Sequence, residues 1–162
     1  MKKYLIFIIL FFIDRISKIY LINLQSIGTD VDYYIYPFLN IYLVWNTGIG
    51  FGLFSLESSI IYHVVTFVIT LVNIILLVWL IKSKGLNSYL IATILGGSLG
   101  NLFDRVYYYA VPDFIDFHVG NFHWFIFNIA DIFITVGIIG LIFSELIKKE
   151  ETLKNVKKLH FH

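Results

Sequence analysis

The sequence contains no cysteine. This absence excludes disulfide bonds, thiol catalysis, thiolate metal sites and the attachment of lipid to cysteine. Charge is also scarce, because charged residues make up 14% of the chain, against about 25% in an ordinary globular domain. The formal net charge is +1, so no partnership with nucleic acid is expected from bulk charge. Hydrophobic residues make up 59%, and most of the surface is therefore expected to face something other than water.

The N-terminal apolar run lacks the small-residue site at which a secretory signal peptide is cut. Lys2 and Lys3 precede this run, and the apolar residues resume after Asp14 and Arg15. We therefore interpret the run as part of a first membrane span and not as a cleaved signal.

Four segments are apolar for about the 20 residues that a helix needs to cross a bilayer. They are residues 4–24, 60–81, 89–109 and 127–147. A chain of 162 residues fits one domain. The predicted fold is thus a single integral membrane domain over 1–162, all-α, with four transmembrane helices.

The distribution of Lys and Arg predicts the orientation of these spans. Basic residues precede the first span, separate the second from the third, and follow the fourth, whereas segments 25–59 and 110–126 contain none. Basic loops stay in the cytoplasm, so both termini are expected there, with 148–162 as a charged helical tail. His160 and His162 are read as a solvated end of that tail and not as a metal site, because two histidines fall short of a ligand set.

The first outer segment, 25–59, shows strand-like alternation from Ile35 to Trp45, where every odd position is apolar. A small extracytoplasmic β element is therefore predicted between helices 1 and 2, with its aromatic side chains at the level of the lipid headgroups.

Charged residues inside membrane spans are costly and need either a partner or a function. Asp14 and Lys18 stand four residues apart on the first span, and a structural ion pair is the favoured interpretation.

The third span combines small residues with a polar face. Gly96 and Gly100 lie four residues apart, and such spacing lets another helix approach closely. One turn onward, Asn101, Asp104 and Arg105 share a face. One interpretation is a polar network between helices in which Asp104 neutralises Arg105.

Four carboxylates are expected near the outer interface, where the third span ends and the fourth begins: Asp104, Asp113, Asp116 and Asp131. Two carboxyl groups held close together share a proton, which supplies one general base and one general acid for hydrolysis. Such chemistry requires no metal, thiol or cofactor. Spacing alone leaves open which two residues form the pair. It also leaves open a purely structural alternative, with Asn128 as the N-cap of the fourth span and Asp131 as a first-turn acid.

Five sequence motifs in order resemble those of the prolipoprotein signal peptidases, also called signal peptidase II. They are DRISK at 14–18, NTGIGFG at 46–52, GGSLGNLFDR at 96–105, VPDF at 111–114 and FNIAD at 127–131.

The resemblance implies an aspartic intramembrane peptidase of the bacterial cytoplasmic membrane, with its active site near the outer face. Such an enzyme removes signal peptides from diacylglyceryl-modified prolipoproteins, cleaving before the lipidated cysteine. By resemblance the catalytic pair falls on Asp113 and Asp131. Residues that bind substrate or organise the site fall on Asn46, Gly48, Asn101, Asp104, Arg105, Asn128, Asp14 and Lys18. Diacylated precursors and membrane lipids are the expected partners, no cofactor is implied, and a monomer is expected.

Two other classes of function compete with this prediction. A small proton-coupled transporter or channel also places charges inside spans, but it predicts polar groups through the membrane depth and often repeated halves. The second span has no charge, and the sequence has no internal repeat. A scaffold without activity predicts that all the outer carboxylates tolerate substitution.

Overall fold

A computed structural model describes residues 2–48, 59–120 and 122–160. Within these ranges the chain forms four long helices: α1 Lys2–Ser26, α2 Ser59–Lys82, α3 Gly85–Tyr108 and α4 Ile129–His160. It also forms four strands: β1 Asp32–Tyr36, β2 Leu39–Asn46, β3 Val111–Val119 and β4 Phe122–Phe127. The glycine-rich end of the second motif, residues 49–52, lies outside the described residues.

Each predicted span corresponds to one of these helices. The third begins earlier than predicted, and it ends where Tyr109 takes a left-handed conformation with a φ of 58°. The fourth continues past its predicted end, so the charged tail extends α4 as a helix. Two of the helices are long and apolar enough to cross a membrane, over Ile60–Lys82 and Ile129–Thr152. Hydropathy thus supports two of the four predicted spans.

The helices present an apolar shell on the outside of the molecule. Large side chains such as Leu5, Ile75 and Phe143 are each more than half exposed. An apolar surface this extensive is rare on soluble monomers and suits a lipid environment.

The helix α3 lies between the other three and contacts each of them. A Cβ atom on Gly96 would lie 2.9 Å from the backbone oxygen of Phe7 in α1. On another side of α3, a Cβ on Gly97 would collide with the backbone oxygen of Ala130 in α4. The glycines therefore let α1 and α4 both approach α3 closely. The stripe of small residues in α3 predicted such an approach for one neighbouring helix.

The β element is larger than the sequence predicted. All four strands form one antiparallel sheet in the order β1-β2-β3-β4, so that β3 and β4 join a hairpin formed by β1 and β2. The alternating segment is also not one strand, since Pro37 and Phe38 form the turn between β1 and β2. Proline supplies no backbone N–H, and turns favour it.

A second proline, Pro112, lies in β3 at a position where a strand tolerates it. Pro112 pairs with Trp45 of β2, whereas β4 pairs with β3 only from Ile115 onward. One side of Pro112 therefore has no neighbouring strand, as at the sheet edges where proline is tolerated. The next residue, Asp113, is fixed at this end of the sheet, close to the start of α4.

Candidate active site

A buried ion network joins α1 to α3. The Nζ atom of Lys18 lies 2.9 Å from Asp14 Oδ2 and 2.7 Å from Asp104 Oδ2, and all three side chains are fully buried. The predicted pair of Asp14 and Lys18 is present, but it belongs to a network that crosses between helices. Lys18 also donates to Asn101 Oδ1 at 2.8 Å, so the charged cluster leads directly to an amide side chain of α3.

The interpretation that Asp104 neutralises Arg105 is wrong. Asp104 forms ion pairs with Arg15 and Lys18 of α1. Arg105 instead donates from Nη2 to the backbone oxygen of Gly48, at 2.6 Å. Adjacent residues of a helix point in different directions, so the two side chains reach different neighbours.

Arg105 and Asn46 together fix the chain where β2 ends. The backbone N–H of Gly48 donates to Asn46 Oδ1 at 2.8 Å, while Gly48 accepts from Arg105. The hydroxyl group of Tyr62 in α2 donates to the backbone oxygen of Arg105 at 3.0 Å. Sequence reasoning missed Tyr62, because nothing in the sequence distinguishes it from the other tyrosines. These contacts connect the second and third motifs.

The first turn of α4 is anchored to α1. The backbone N–H of Ala130 donates to Asp14 Oδ1 at 3.0 Å. A carboxylate at this position is stabilised by the free N–H groups and the dipole of the helix N-terminus. Asp14 thus serves two neighbours, Lys18 and the start of α4.

Asn128 and Asp131 cap the same helix reciprocally. The backbone N–H of Asp131 donates to Asn128 Oδ1, and the backbone N–H of Asn128 donates to Asp131 Oδ2, both at 3.1 Å. This arrangement is a capping box with a shorter acid in the last position. The structural roles considered for both residues are therefore real, but they leave other atoms of each side chain free for other contacts.

Asn128 also reaches the second carboxylate. Its Nδ2 atom donates to Asp113 Oδ1 at 2.6 Å, and Asn46 Nδ2 donates to Asp113 Oδ2 at 2.8 Å. The remaining oxygen of Asp131, Oδ1, accepts from Asn101 Nδ2 at 2.8 Å. Each of the four carboxylate oxygens of Asp113 and Asp131 therefore accepts one N–H, and one residue, Asn128, bridges the two acids.

The surroundings of Asp113 favour its protonated form. Burial and the nearby negative charge of Asp131 raise the pKa of Asp113 to about 7, although hydrogen bonds from Asn46 and Asn128 act in the opposite direction. Burial penalises the charged carboxylate, and a second carboxylate repels it. At neutral pH this group can therefore either give or take a proton.

The structure places the four carboxylates that were predicted near the outer interface in three different environments. Asp104 is paired with Arg15 and Lys18, and Asp116 contacts His123 Nδ1 at 2.8 Å. Asp113 and Asp131 remain, held by three asparagines.

An apolar cavity of about 300 Å³ opens beside Asp131. It is lined by Phe125, Phe127, Asp131, Ile132, Thr135 and Val136, from β4 and α4.

The comparisons with known proteins agree on one family. A family model described as signal peptidase (SPase) II matches residues 6–147. A lipoprotein signal peptidase of Pelagibacter ubique is 49% identical over 141 residues, covering 87% of this chain and 85% of that protein. A lipoprotein signal peptidase of Anaplasma phagocytophilum is 41% identical over 142 residues, covering 86% of this chain and 88% of that protein.

Solved structures give the same result for the fold. One described as a bacterial membrane enzyme superposes with a TM-score of 0.72 at 26% identity, covering 93% of this chain and 90% of that one. A second with the same description gives a TM-score of 0.66 at 29% identity, covering 90% and 92%. The family model spans most of the chain, and the relatives share its length, so the chain belongs to the signal peptidase II family of aspartic membrane peptidases.

Proposed function

We propose that this membrane peptidase, which removes signal peptides from lipoprotein precursors, cleaves with Asp113 and Asp131 as a dyad that shares one proton. The observation that carries this assignment is the bridging position of Asn128. Its side chain donates to Asp113, while its backbone N–H donates to Asp131. Both acids are thereby held against the same residue at the start of α4.

The dyad would activate a water molecule against the scissile carbonyl group. The ionised carboxylate takes a proton from the water, and the protonated one donates a proton to the carbonyl oxygen. No metal or cofactor is needed for these steps. Asn46, Asn101 and Asn128 would orient the carboxylates. Their amide N–H groups donate to carboxylate oxygens and so fix the direction in which each carboxylate faces the water.

The remaining site residues would act through this frame. Arg105 and Gly48 would position the end of β2 beside the dyad, since their mutual hydrogen bond fixes where β2 ends. Asp14, Lys18 and Asp104 would hold α1, α3 and α4 together beneath the dyad. The apolar cavity beside Asp131 would receive the signal peptide next to its lipid-bearing cysteine, with the acyl chains of the diacylated precursor in the surrounding lipid.

All four helices are proposed to span the bacterial cytoplasmic membrane as one domain, with both termini in the cytoplasm and the sheet outside. The ends of the helices support this arrangement. Lys3 Nζ donates to the backbone oxygens of Leu80 and Ser83 at 2.6 and 2.9 Å, so the basic N-terminus meets the basic α2–α3 connection. The sheet follows the other ends of α1 and α3. We further propose that the enzyme acts as a monomer.

The transporter alternative gains no support from the comparisons. The family and the named relatives are peptidases.

Cleavage is expected to lose rate as the pH rises through about 7. The active dyad carries one proton, and burial together with the charge of Asp131 raises the pKa of Asp113 to about 7. Above that pH both carboxylates are ionised and no acid remains, so kcat/KM should fall by about tenfold for each further pH unit. The measurement is the initial rate of cleavage of a diacylated precursor peptide in detergent micelles, from about pH 5 to about pH 9, a range that brackets this pKa.

The variant Asn46→Ala serves as the comparison for this dependence of the cleavage rate on pH. In Asn46→Ala, Asp113 loses one of its two donors, so the descending limb should move to higher pH. A rate that stays level up to the alkaline end in both proteins would contradict the shared proton.

The absence of cysteine allows the orientation to be tested with single introduced thiols. One variant is Val119→Cys, at the end of β3 that leads into the hairpin turn, where the side chain of Val119 is 78% exposed. The other variant is Lys84→Cys, between α2 and α3. In spheroplasts, a membrane-impermeant maleimide should label the thiol at position 119 at once and the thiol at position 84 only after permeabilisation. The unmodified chain is the background control. Labelling of position 84 in intact spheroplasts would reverse the proposed orientation.

A further inference from the structure

A second cluster of polar side chains lies on the sheet, outside the Asp113–Asp131 pair. Asp116 and His118 belong to β3, and His123 belongs to β4. Asp116 Oδ2 lies 2.8 Å from His123 Nδ1 and 3.5 Å from His118 Nδ1. One candidate ligand atom from each residue lies within 4.8 Å of the other two.

The backbone register explains why these three side chains meet. His118 pairs directly with His123 across the two strands. Asp116 stands two residues before His118, so both point to the same face of β3. Asp113 is three residues before Asp116, and its side chain leaves the opposite face, towards Asn128. The cluster is therefore separate from the proposed dyad.

The cluster lacks an obvious compensating charge. The carboxylate of Asp116 is 1% exposed, and within residues 2–48, 59–120 and 122–160 it has ion-pair contacts only with the two histidines. A buried carboxylate needs a cation or a full set of donors. A neutral histidine supplies one donor at most, so the negative charge is compensated only by a protonated histidine or by a bound cation.

Two buried atoms at this place have no hydrogen-bond partner among the described residues. They are Nδ1 of His118, whose side chain is 8% exposed, and Oδ1 of Asn40. Asn40 stands directly opposite Asp116 on β2, so it projects from the same face of the sheet. A buried nitrogen with a lone pair and a buried carbonyl oxygen beside a carboxylate form a set of donor atoms for a metal, and each would be costly to leave unpaired.

We propose that Asp116, His118 and His123 bind one divalent transition-metal ion of the zinc type. Zinc binds histidine nitrogen and carboxylate oxygen at about 2.0–2.2 Å in a tetrahedron, which places neighbouring ligand atoms about 3.3 Å apart. The separations of 2.8 and 3.5 Å at Asp116 lie on either side of that value. The fourth position falls to Asn40 Oδ1 or to a water molecule, and the side chain of His123, 55% exposed, leaves access from solvent.

The ion would tie the two strands of the β3–β4 hairpin together next to its turn, where His118 pairs with His123. At the opposite end of this hairpin, β3 begins near Asp113 and β4 leads into α4. Bound metal is therefore expected to stabilise the hairpin without taking part in the cleavage chemistry.

Metal binding is tested on the full chain in detergent micelles, purified without a polyhistidine tag and stripped with chelator. Titration with Co²⁺, which reports tetrahedral nitrogen and oxygen ligands by visible absorption, and calorimetric titration with Zn²⁺ should each show one ion per chain. His123→Ala and Asp116→Asn should each raise Kd by at least about tenfold, the size of effect seen even for residues that only support a metal ligand. Zn²⁺ should also raise the Tm of the natural chain more than that of His123→Ala.

The matched control removes the other three histidines of the chain, at positions 63, 160 and 162, by substitution with alanine. This triple variant should bind the ion as the natural chain does. Because His123 is exposed, His123→Ala is expected to fold even where Asp116→Asn does not. The proposal is overturned by absence of ion binding, by unchanged affinity in His123→Ala, or by loss of binding in the triple variant.

Discussion

Asp113→Asn and Asp131→Asn are each expected to lower the single-turnover rate constant for cleavage of a diacylated precursor by about 10²–10⁴-fold, the contribution of a positioned acid–base group. An amide has nearly the shape of a carboxylate but can neither accept a proton from water nor give one to a carbonyl oxygen. The measurement is single-turnover cleavage at an enzyme concentration above that of the substrate, so that weakened binding is not mistaken for lost chemistry.

Both variants are expected to lose stability, because Asp113 and Asp131 each accept from two N–H donors. Asp113 accepts from two amide nitrogens, Asn46 Nδ2 and Asn128 Nδ2. The single oxygen of an asparagine at 113 satisfies only one of them, at a cost of about 1–3 kcal/mol for the donor left unpaired. The Tm of each variant therefore accompanies its rate.

Asp32→Asn is the matched control, because Asp32 lies on the exposed strand β1 and carries the same chemical change away from the site. It should cleave at the natural rate. Natural rates in either dyad variant would rule out the assignment, whatever the control does.

The sequence predicted the helices well and their mutual contacts poorly. Apolar runs identify each helix, and the spacing of Asp14 and Lys18 identifies their ion pair, because residues four apart on a helix are neighbours. The contacts of Arg15 with Asp104 and of Lys18 with Asn101 join different helices. No local spacing encodes such contacts. The error over Asp104 and Arg105 had the same origin, since a pairing was inferred between adjacent residues that cannot face each other.

The β3–β4 hairpin had a signal that was not used. The apolar alternation of Ile115, Phe117 and Val119 is followed by Gly120 and Asn121, a dipeptide typical of two-residue hairpin turns. Gly120 has a φ of 59°, as such turns require. The cluster of Asp116, His118 and His123 was missed with the hairpin, because the register of the hairpin brings these residues together.

Lys18→Met is expected to lower the free energy of unfolding by about 3–5 kcal/mol, the usual cost of removing one partner from a buried ion pair. Lys18 Nζ contacts oxygens of Asp14, Asp104 and Asn101. Methionine fills a similar volume, so the loss is electrostatic and not a cavity effect. Asp104 keeps Arg15, whereas among the residues that the structure describes the carboxylate of Asp14 keeps only the N–H of Ala130. Thermal unfolding in detergent micelles should show a large drop in Tm.

Removal of the charge of Asp14 as well should restore part of the stability lost in Lys18→Met. In the double variant Lys18→Met with Asp14→Asn, the uncompensated carboxylate is gone, and replacing both members of a buried pair costs less than breaking it. The Tm should therefore lie above that of Lys18→Met alone. Lys82→Met, an exposed lysine at the end of α2, is the control for the change of residue type and should unfold with the natural chain. If the double variant unfolded at a lower temperature than the single one, the three helices would be held together by packing at the glycines of α3, and the charges would be incidental to the fold.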